Sequence, residues 1–297
     1  MIKKQYSTFK ERAIKAFFFT NGAFAVLVLV GIFFLLLFTA IPAFREINLG
    51  EFFTSTRWDP TSPVKEGYGI LSMVVSTFMV TVGALIIAIP IGIGVAAYLS
   101  DVAHWRVREI VKPVIEILAG IPSVVIGFLG IVLFGPIIAK LFGTSNGLNA
   151  INGSLLLAIM ALPTIISISE DSLNAVPKAY SEASLGLGAN QWQTLVRVKL
   201  PASLSGIIAA VMLGMGRAIG ETMTVMMATG NAPAFPHGFL SSIRTMTATV
   251  AIELGEVPYY TTHYYALFAV GFVLFIITFM VNLISDVILH KYQEREQ

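Results

Sequence analysis

Arg217 and Glu221 stand four residues apart inside a segment, Leu204 to about Thr229, that carries no other charge. On a helix that spacing puts both on one face, close enough to pair. Arg217 follows Leu204 by thirteen residues. At 1.5 Å per residue this is roughly 20 Å into an apolar layer about 30 Å thick. A charge at that depth is costly unless paired or hydrated, so such residues face a bundle interior or a solute path. Two readings follow. Either the pair orients one helix against another, or Arg217 supplies the positive charge of an anion path, its planar fork suiting tetrahedral oxyanions. In the second reading Glu221 compensates Arg217 when no anion is present and keeps the attraction weak enough for passage. Gly220 and Thr224 flank the same face.

A second constellation occupies about 174–203. Pro177 suits the first position of a helix, and Gly186 and Gly188 can end that helix. From Gln191 to Lys199 the sequence is amphipathic, with Trp192, Leu195, Val196 and Val198 apolar, and Pro201 starts the next element. Two short helices joined by a glycine hinge make a shape fit for docking a partner. The apolar-basic mix around Trp192 and Arg197 fits equally a loop lying on lipid head groups.

The elements that must position these residues are membrane helices. The 297 residues are 56% hydrophobic and only 12% charged, against about 25% charged in an average globular protein. The mean hydropathy of +0.81 excludes disorder and argues against a soluble protein. Six spans are predicted, at about 17–42, 70–99, 112–139, 153–173, 204–229 and 263–289. The fold class is therefore all-α, with a segment 1–16 before the six-helix domain 17–290 and a tail at 291–297. The first apolar run is too long for a signal peptide and no A-x-A site follows it, so it reads as an uncleaved span. Pro90, Pro122, Pro136 and Pro163 fall within the spans. Each removes a backbone donor; neighbouring helices re-satisfy the freed groups, or the breaks shape a path.

Basic residues set the orientation. Lys3, Lys4, Lys10, Arg12, Lys15, Arg106, Arg108, Lys112, Lys178, Arg197, Lys199, Lys291 and Arg295 fall on one side. Arg45, Arg57, Lys65, Lys140 and Arg244 fall on the other. Both termini and the 174–203 loop are thus expected in the cytoplasm. The four histidines, His104, His237, His263 and His290, show no metal-ligand spacing. Without cysteine there is no thiolate site, and no P-loop or basic-aromatic stripe appears. The chain does not read as an enzyme or a nucleic-acid binder, and no cofactor or metal is expected. Glu170 and Asp171 read as a solvated span end or a contact of the 174–203 loop, and Glu116 as interfacial.

The 182–201 stretch resembles the coupling motif of permease subunits of ABC importers, which runs Glu-Ala-Ala, three residues, Gly, nine residues, Ile, one residue, Leu-Pro. Glu182, Ala183, Gly188, Leu200 and Pro201 match it, while Ser184 and Val198 depart conservatively. The run Arg217 to Met223 resembles the fifth-span motif of phosphate-importer permeases of the PstC type. So do Gly120-Ile121-Pro122-Ser123-Val124-Val125 and Ser169-Glu170-Asp171-Ser172 followed by Val176-Pro177. Thr222-Met223 and Ala228-Thr229-Gly230-Asn231 favour that type over its partner, PstA, which follows Glu-Thr with Ala-Pro. The resemblance implies an ABC type I importer-like permease in the plasma membrane (the inner membrane in a Gram-negative cell). It implies a PstA-like second permease, two PstB-like ATPase subunits that hydrolyse the ATP, and a PstS-like extracytoplasmic phosphate-binding protein. It makes Arg217, Glu221 and Thr224 the substrate path and 182–201 the ATPase contact. The rivals are a sulfate or molybdate permease, an ion-coupled transporter or channel without an ATPase, and a membrane scaffold that transports nothing.

Overall fold

The computed structural model describes residues 2–293, with side chains described over 10–287. Arg295 and the end of the expected tail lie outside the described residues, as do the side chains of Lys3, Lys4, His290 and Lys291. Helix α1 (Ile2–Glu46) is continuous for 45 residues. Short α2 (Leu49–Thr54) follows, its first N–H groups accepted by the Asn48 side chain. A two-residue hairpin, β1 (Trp58–Asp59) with β2 (Gly67–Tyr68), pairs antiparallel with Trp58 opposite Tyr68. Helix α3 (Leu71–Ala97) runs into a π-helical turn at Tyr98–Val102. Then come α4 (Trp105–Ala119) and α5 (Ser123–Leu129), continued through a π-turn at Gly130–Phe134 into α6 (Gly135–Phe142). Helix α7 (Ala150–Ala175) is followed by α8 (Lys178–Gly186), α9 (Gln191–Thr194), a π-turn at Leu195–Lys199 and α10 (Leu200–Ala202). The chain ends with α11 (Leu204–Ile219), α12 (Met223–Ala228), α13 (Met246–Glu253) and α14 (Thr262–Gln293).

Among the described residues, five helical stretches are long and apolar enough to cross a membrane: Lys10–Glu46, Leu71–Val102, Ser123–Phe142, Ala150–Ala175 and Thr262–Val287. A sixth is counted if Gln191–Ala202 and Leu204–Ile219, bent by 70°, act as one. Two expected spans change shape. The third begins at Ser123, not at 112. Residues from 112 belong to α4, which ends at Ala119 with Gly120 as its cap, before Pro122; Gly120 weakens the helix and Pro122 disfavours the α region for Ile121. The fifth does not run unbroken from 204 to 229. It stops at Ile219 and resumes at Met223. Gly220 weakens the helix there, and the Thr222 hydroxyl bonds the Gly220 carbonyl at 3.3 Å, offering the backbone a non-helical alternative.

The core is built on small residues that let helix backbones approach. On α3, Gly83 lies against Ser154 and Gly92 against Ile165 of α7, and Gly214 of α11 meets the same Ile165. Ala84, Ala88, Ala158 and Ala161 fill the seam between them. At the α13 end, α1 and α14 close over Phe52, Trp58, Met73 and Leu267. The outward surface is apolar, with Phe18, Leu27, Ile86 and Phe128 exposed. That arrangement is stable only where hydrocarbon replaces water around the helices.

Candidate functional site

The two helix breaks meet. Thr224, at the start of α12, is completely buried; its hydroxyl donates to the Ser123 carbonyl at 2.9 Å and contacts Met160 Sδ at 3.2 Å. A Cβ on Gly127 of α5 would stand 3.2 Å from the Thr224 Cα, so glycine permits the close crossing. Thr224 therefore anchors the break between α11 and α12 to the break between α4 and α5, instead of lining an open face.

The expected Arg217–Glu221 ion pair does not form. Because the helix ends at Ile219, the four-residue spacing no longer places the two side chains on one face. Glu221 is half-buried and turns forward, its carboxylate accepting the Thr224 N–H at 3.3 Å. This puts negative charge at the start of α12, where the free N–H groups favour it. The Glu221 carbonyl accepts the Thr247 hydroxyl from α13 at 3.0 Å, a contact no motif signalled. Arg217 is exposed and makes no ion pair with any described residue. A guanidinium on the surface of an otherwise apolar segment, beside a carboxylate committed elsewhere, is free to meet an anion.

At one end of the bundle, the 174–203 segment forms two short helices around Gly188, whose φ is +89°. Such a backbone strains any side-chain-bearing residue. Asn190 and Gln193 cap α9 reciprocally, each side chain accepting the other's backbone N–H. Ser184 and Thr194 share a hydrogen bond at 2.9 Å, fastening α8 to α9. Together they frame an open groove of about 590 Å³ lined by Tyr180, Ala183, Leu187, Gly188 and Arg197. Glu182, Ala183, Gly188 and Pro201 are exposed, while Leu200 is half-buried.

Next to this segment lies a charge cluster that sequence reasoning misplaced. Glu170 is not a solvated end: it is 1% exposed and pairs with Arg108 and Lys112 of α4. Lys112 also meets exposed Asp171 at 3.2 Å. Burial lowers the Lys112 pKa, but hydrogen bonds to Glu170 and Asp171 and their charges more than reverse this, so it stands above the ordinary lysine value. Lys199 pairs with Asp101 at the end of the α3 turn.

At the opposite end Glu253 gathers Arg244 at 2.7 Å, His263 at 2.8 Å and the Trp58 indole N–H at 2.9 Å. Burial raises the Glu253 carboxyl, but the bonds from His263 and Trp58 and the nearby charge of His263 and Arg244 outweigh it, leaving it below the usual carboxylate range. The Arg244 guanidinium also donates to the Asn231 carbonyl at 2.9 Å. The cluster ties α13, α14 and the β1 strand into one cap.

Residues 88–294 match the family of binding-protein-dependent transport system inner membrane components. The chain belongs to that family. It is 37% identical to the probable ABC transporter permease protein YqgH of Bacillus subtilis, over 77% of this chain and 74% of that protein. It is 33% identical to the phosphate transport system permease protein PstC of Mesorhizobium japonicum, over 82% and 80%. Against PstC of Haemophilus influenzae the identity is 31% over 99% of both chains. The inward-facing MetNI methionine ABC transporter superposes with a TM-score of 0.56, covering 75% of this chain and 94% of that one at 21% identity. An amino acid ABC transporter crystallised with histidines superposes with a TM-score of 0.52 at 17% identity, covering 75% and 92%. The fold is thus the all-α type I importer permease fold. The permease is a multi-pass membrane subunit of a transporter and not itself catalytic. A permease of this kind has partners of the permease, ATPase and binding-protein types.

Proposed function

We propose that this permease carries phosphate inward, forming the path with a PstA-like second permease, driven by two PstB-like ATPase subunits and loaded by a PstS-like binding protein. The observation that carries the reading is Arg217: an exposed, unpaired guanidinium at a helix break within an apolar segment. Relatives named as phosphate permeases align over most of the chain, which favours phosphate over sulfate or molybdate. Glu221 sits beside the path as the residue that fixes the break. Thr224 acts behind it, and Glu182, Ala183, Gly188, Leu200 and Pro201 meet the ATPase, in whose subunits ATP is hydrolysed. The excess of basic residues on the 174–203 side supports both termini being cytoplasmic, with the Glu253 end facing the binding protein in the plasma membrane.

Uptake of radiolabelled phosphate in cells lacking and then regaining this chain tests the reading, with sulfate and molybdate as competitors. Phosphate uptake should return with the chain and be unmoved by either competitor; restoration of sulfate uptake in its place would replace phosphate as the substrate. For orientation, a cysteine at Asp59 should react with an impermeant thiol reagent from outside, and one at Lys4 should not; the reverse pattern inverts the topology.

A further inference from the structure

The coupling segment and the paired helix breaks lie at different depths of the bundle, yet an unbroken series of contacts joins them. It starts at Lys199, inside the motif between Val198 and Leu200. The Lys199 ammonium, paired with Asp101, also reaches Ser100 Oγ at 3.4 Å. Ser100 donates to Asn174 Oδ1 at 3.1 Å, and the Asn174 amide donates to Glu170 Oε1 at 3.3 Å. Glu170 pairs with Arg108 and Lys112 on α4. Helix α4 ends at Ala119, and the chain turns through Gly120, Ile121 and Pro122 into Ser123. The Ser123 carbonyl holds Thr224, and Thr224 holds Glu221.

Glu170 is the pivot of this series. A carboxylate removed from water is costly unless charged partners replace the lost hydration, so Glu170 binds α4 to α7 in one arrangement and penalises any slip between them. Its neighbour Asp171, 69% exposed, shows that a solvated carboxylate was available at this turn. The two carboxylates match the two cations, so the cluster is locally neutral. Helix α4 presents Trp105, Ile110, Val114 and Ile117 outward, and its inner side joins the bundle through this charged cluster and through Ile115, which packs with Leu99, Ile166, Leu173 and Leu195.

We infer that Glu170 is a positioning residue that gears α4 to the coupling segment, so that displacement of that segment by the ATPase carries α4 as a lever and shifts both helix breaks beside Arg217 together. The inference rests on the reading of 182–201 as the ATPase contact and of Arg217 as part of the path.

The test uses the assembled complex reconstituted in vesicles, with the binding protein charged with inorganic phosphate. Glu170→Gln keeps the shape and the Asn174 bond but removes the charge. ATPase retention and basal hydrolysis should stay within about twofold of wild type, while stimulation by the charged binding protein falls about tenfold, the range expected for a lost coupling contact. Stimulation at the wild-type level in an assembled Glu170→Gln complex overturns the inference. Should that variant fail to assemble, Glu170→Gln with Arg108→Gln removes the unbalanced charge and restores assembly. Continued loss of stimulation then supports the gear, and its full recovery assigns the cluster to stability alone and overturns the gear. Gly188→Leu run in parallel separates the layers. If it stimulates normally, the underlying coupling reading has failed; if it is uncoupled while Glu170→Gln is normal, only the gear has.

Discussion

The Thr224 hydroxyl reaches the Ser123 carbonyl at 2.9 Å across 101 residues of chain, and it does so where two membrane segments each lose their helical continuity. One break is made by Gly120 and Pro122, the other by Gly220 and Thr222. Each frees backbone groups that a continuous helix would bind, and those groups must find partners in an apolar layer. The Gly220 carbonyl takes the Thr222 hydroxyl, the Thr224 N–H takes the Glu221 carboxylate and the Glu221 carbonyl takes Thr247 of α13, while the Thr224 hydroxyl crosses to the other break. Arg217 thus stands beside a doubly interrupted region of the bundle, where short helix ends can shift against one another without unwinding a whole span.

Thr224→Val should separate these breaks while keeping side-chain volume. It removes a buried hydrogen bond worth about 1 kcal/mol net. Thermal unfolding of the purified permease should move down modestly and phosphate uptake should fall further than stability does. Thr224→Ser should recover both. Uptake unchanged in Thr224→Val at equal membrane levels would assign the contact no part in transport.

Gly188→Leu forces a side chain into a backbone with φ of +89°, a cost of roughly 1–2 kcal/mol. Nothing crowds the position within 4 Å in the free chain, so the permease should still insert. The groove beside Tyr180 and Arg197 should deform, and copurification of the ATPase or its stimulated hydrolysis should drop. Gly188→Ala should be milder. A Gly188→Leu complex with full coupling argues that the left-handed turn is not read by a partner.

The Glu253 cluster makes a pH prediction with a definite sign. Its folded pKa lies below the ordinary glutamate value of 4.5. Between the two values the unfolded chain binds more protons, so stability rises with pH there. The contribution is complete above the unfolded value and is lost as pH falls through the folded one. The difference in unfolding temperature between wild type and Glu253→Gln should shrink as pH falls below about 4.5. A difference that widens on acidification contradicts the assignment. Breaking this partly buried cluster at neutral pH should cost about 3 kcal/mol.

Much of this was legible in the sequence, and the failures have a common cause. Hydropathy located the spans because lipid demands long apolar runs, and Gly188, expected to end a short helix, does so in a left-handed conformation that favours glycine. Charge spacing misled twice. The four residues between Arg217 and Glu221 imply a pair only on an uninterrupted helix, and Gly220 with Thr222 interrupts it. Of the two sequence readings of Glu170, the solvated span end fails and the contact toward the 174–203 loop holds through Asn174 and Ser100; which of two adjacent carboxylates turns inward depends on α4, folded back from 59 residues away. The Thr247 contact to the Glu221 carbonyl had no local signal at all, since a backbone acceptor exposed by a helix break is visible only once the break is.

The broken helix also changes what a double substitution at the path means. Glu221 does not neutralise Arg217 by contact, so Arg217→Gln leaves no buried partner charge stranded, and assembly should survive it. Uptake of phosphate, normalised to assembled complex, should fall by at least about tenfold, since a guanidinium facing a phosphate contributes a charge-assisted hydrogen bond of roughly 1.5–3 kcal/mol. Arg217→Lys should recover part of the rate, because the charge returns without the planar fork. Glu221→Gln retains an oxygen for the Thr224 N–H and should keep the break intact. Its loss of negative charge beside the path should tighten phosphate binding and slow release, lowering the apparent KM and the maximal rate together. Combining Arg217→Gln with Glu221→Gln should therefore leave uptake as low as Arg217→Gln alone. Recovery of near-normal uptake in the double variant would show that the two residues act only on each other, and the anion-path role of Arg217 would fall.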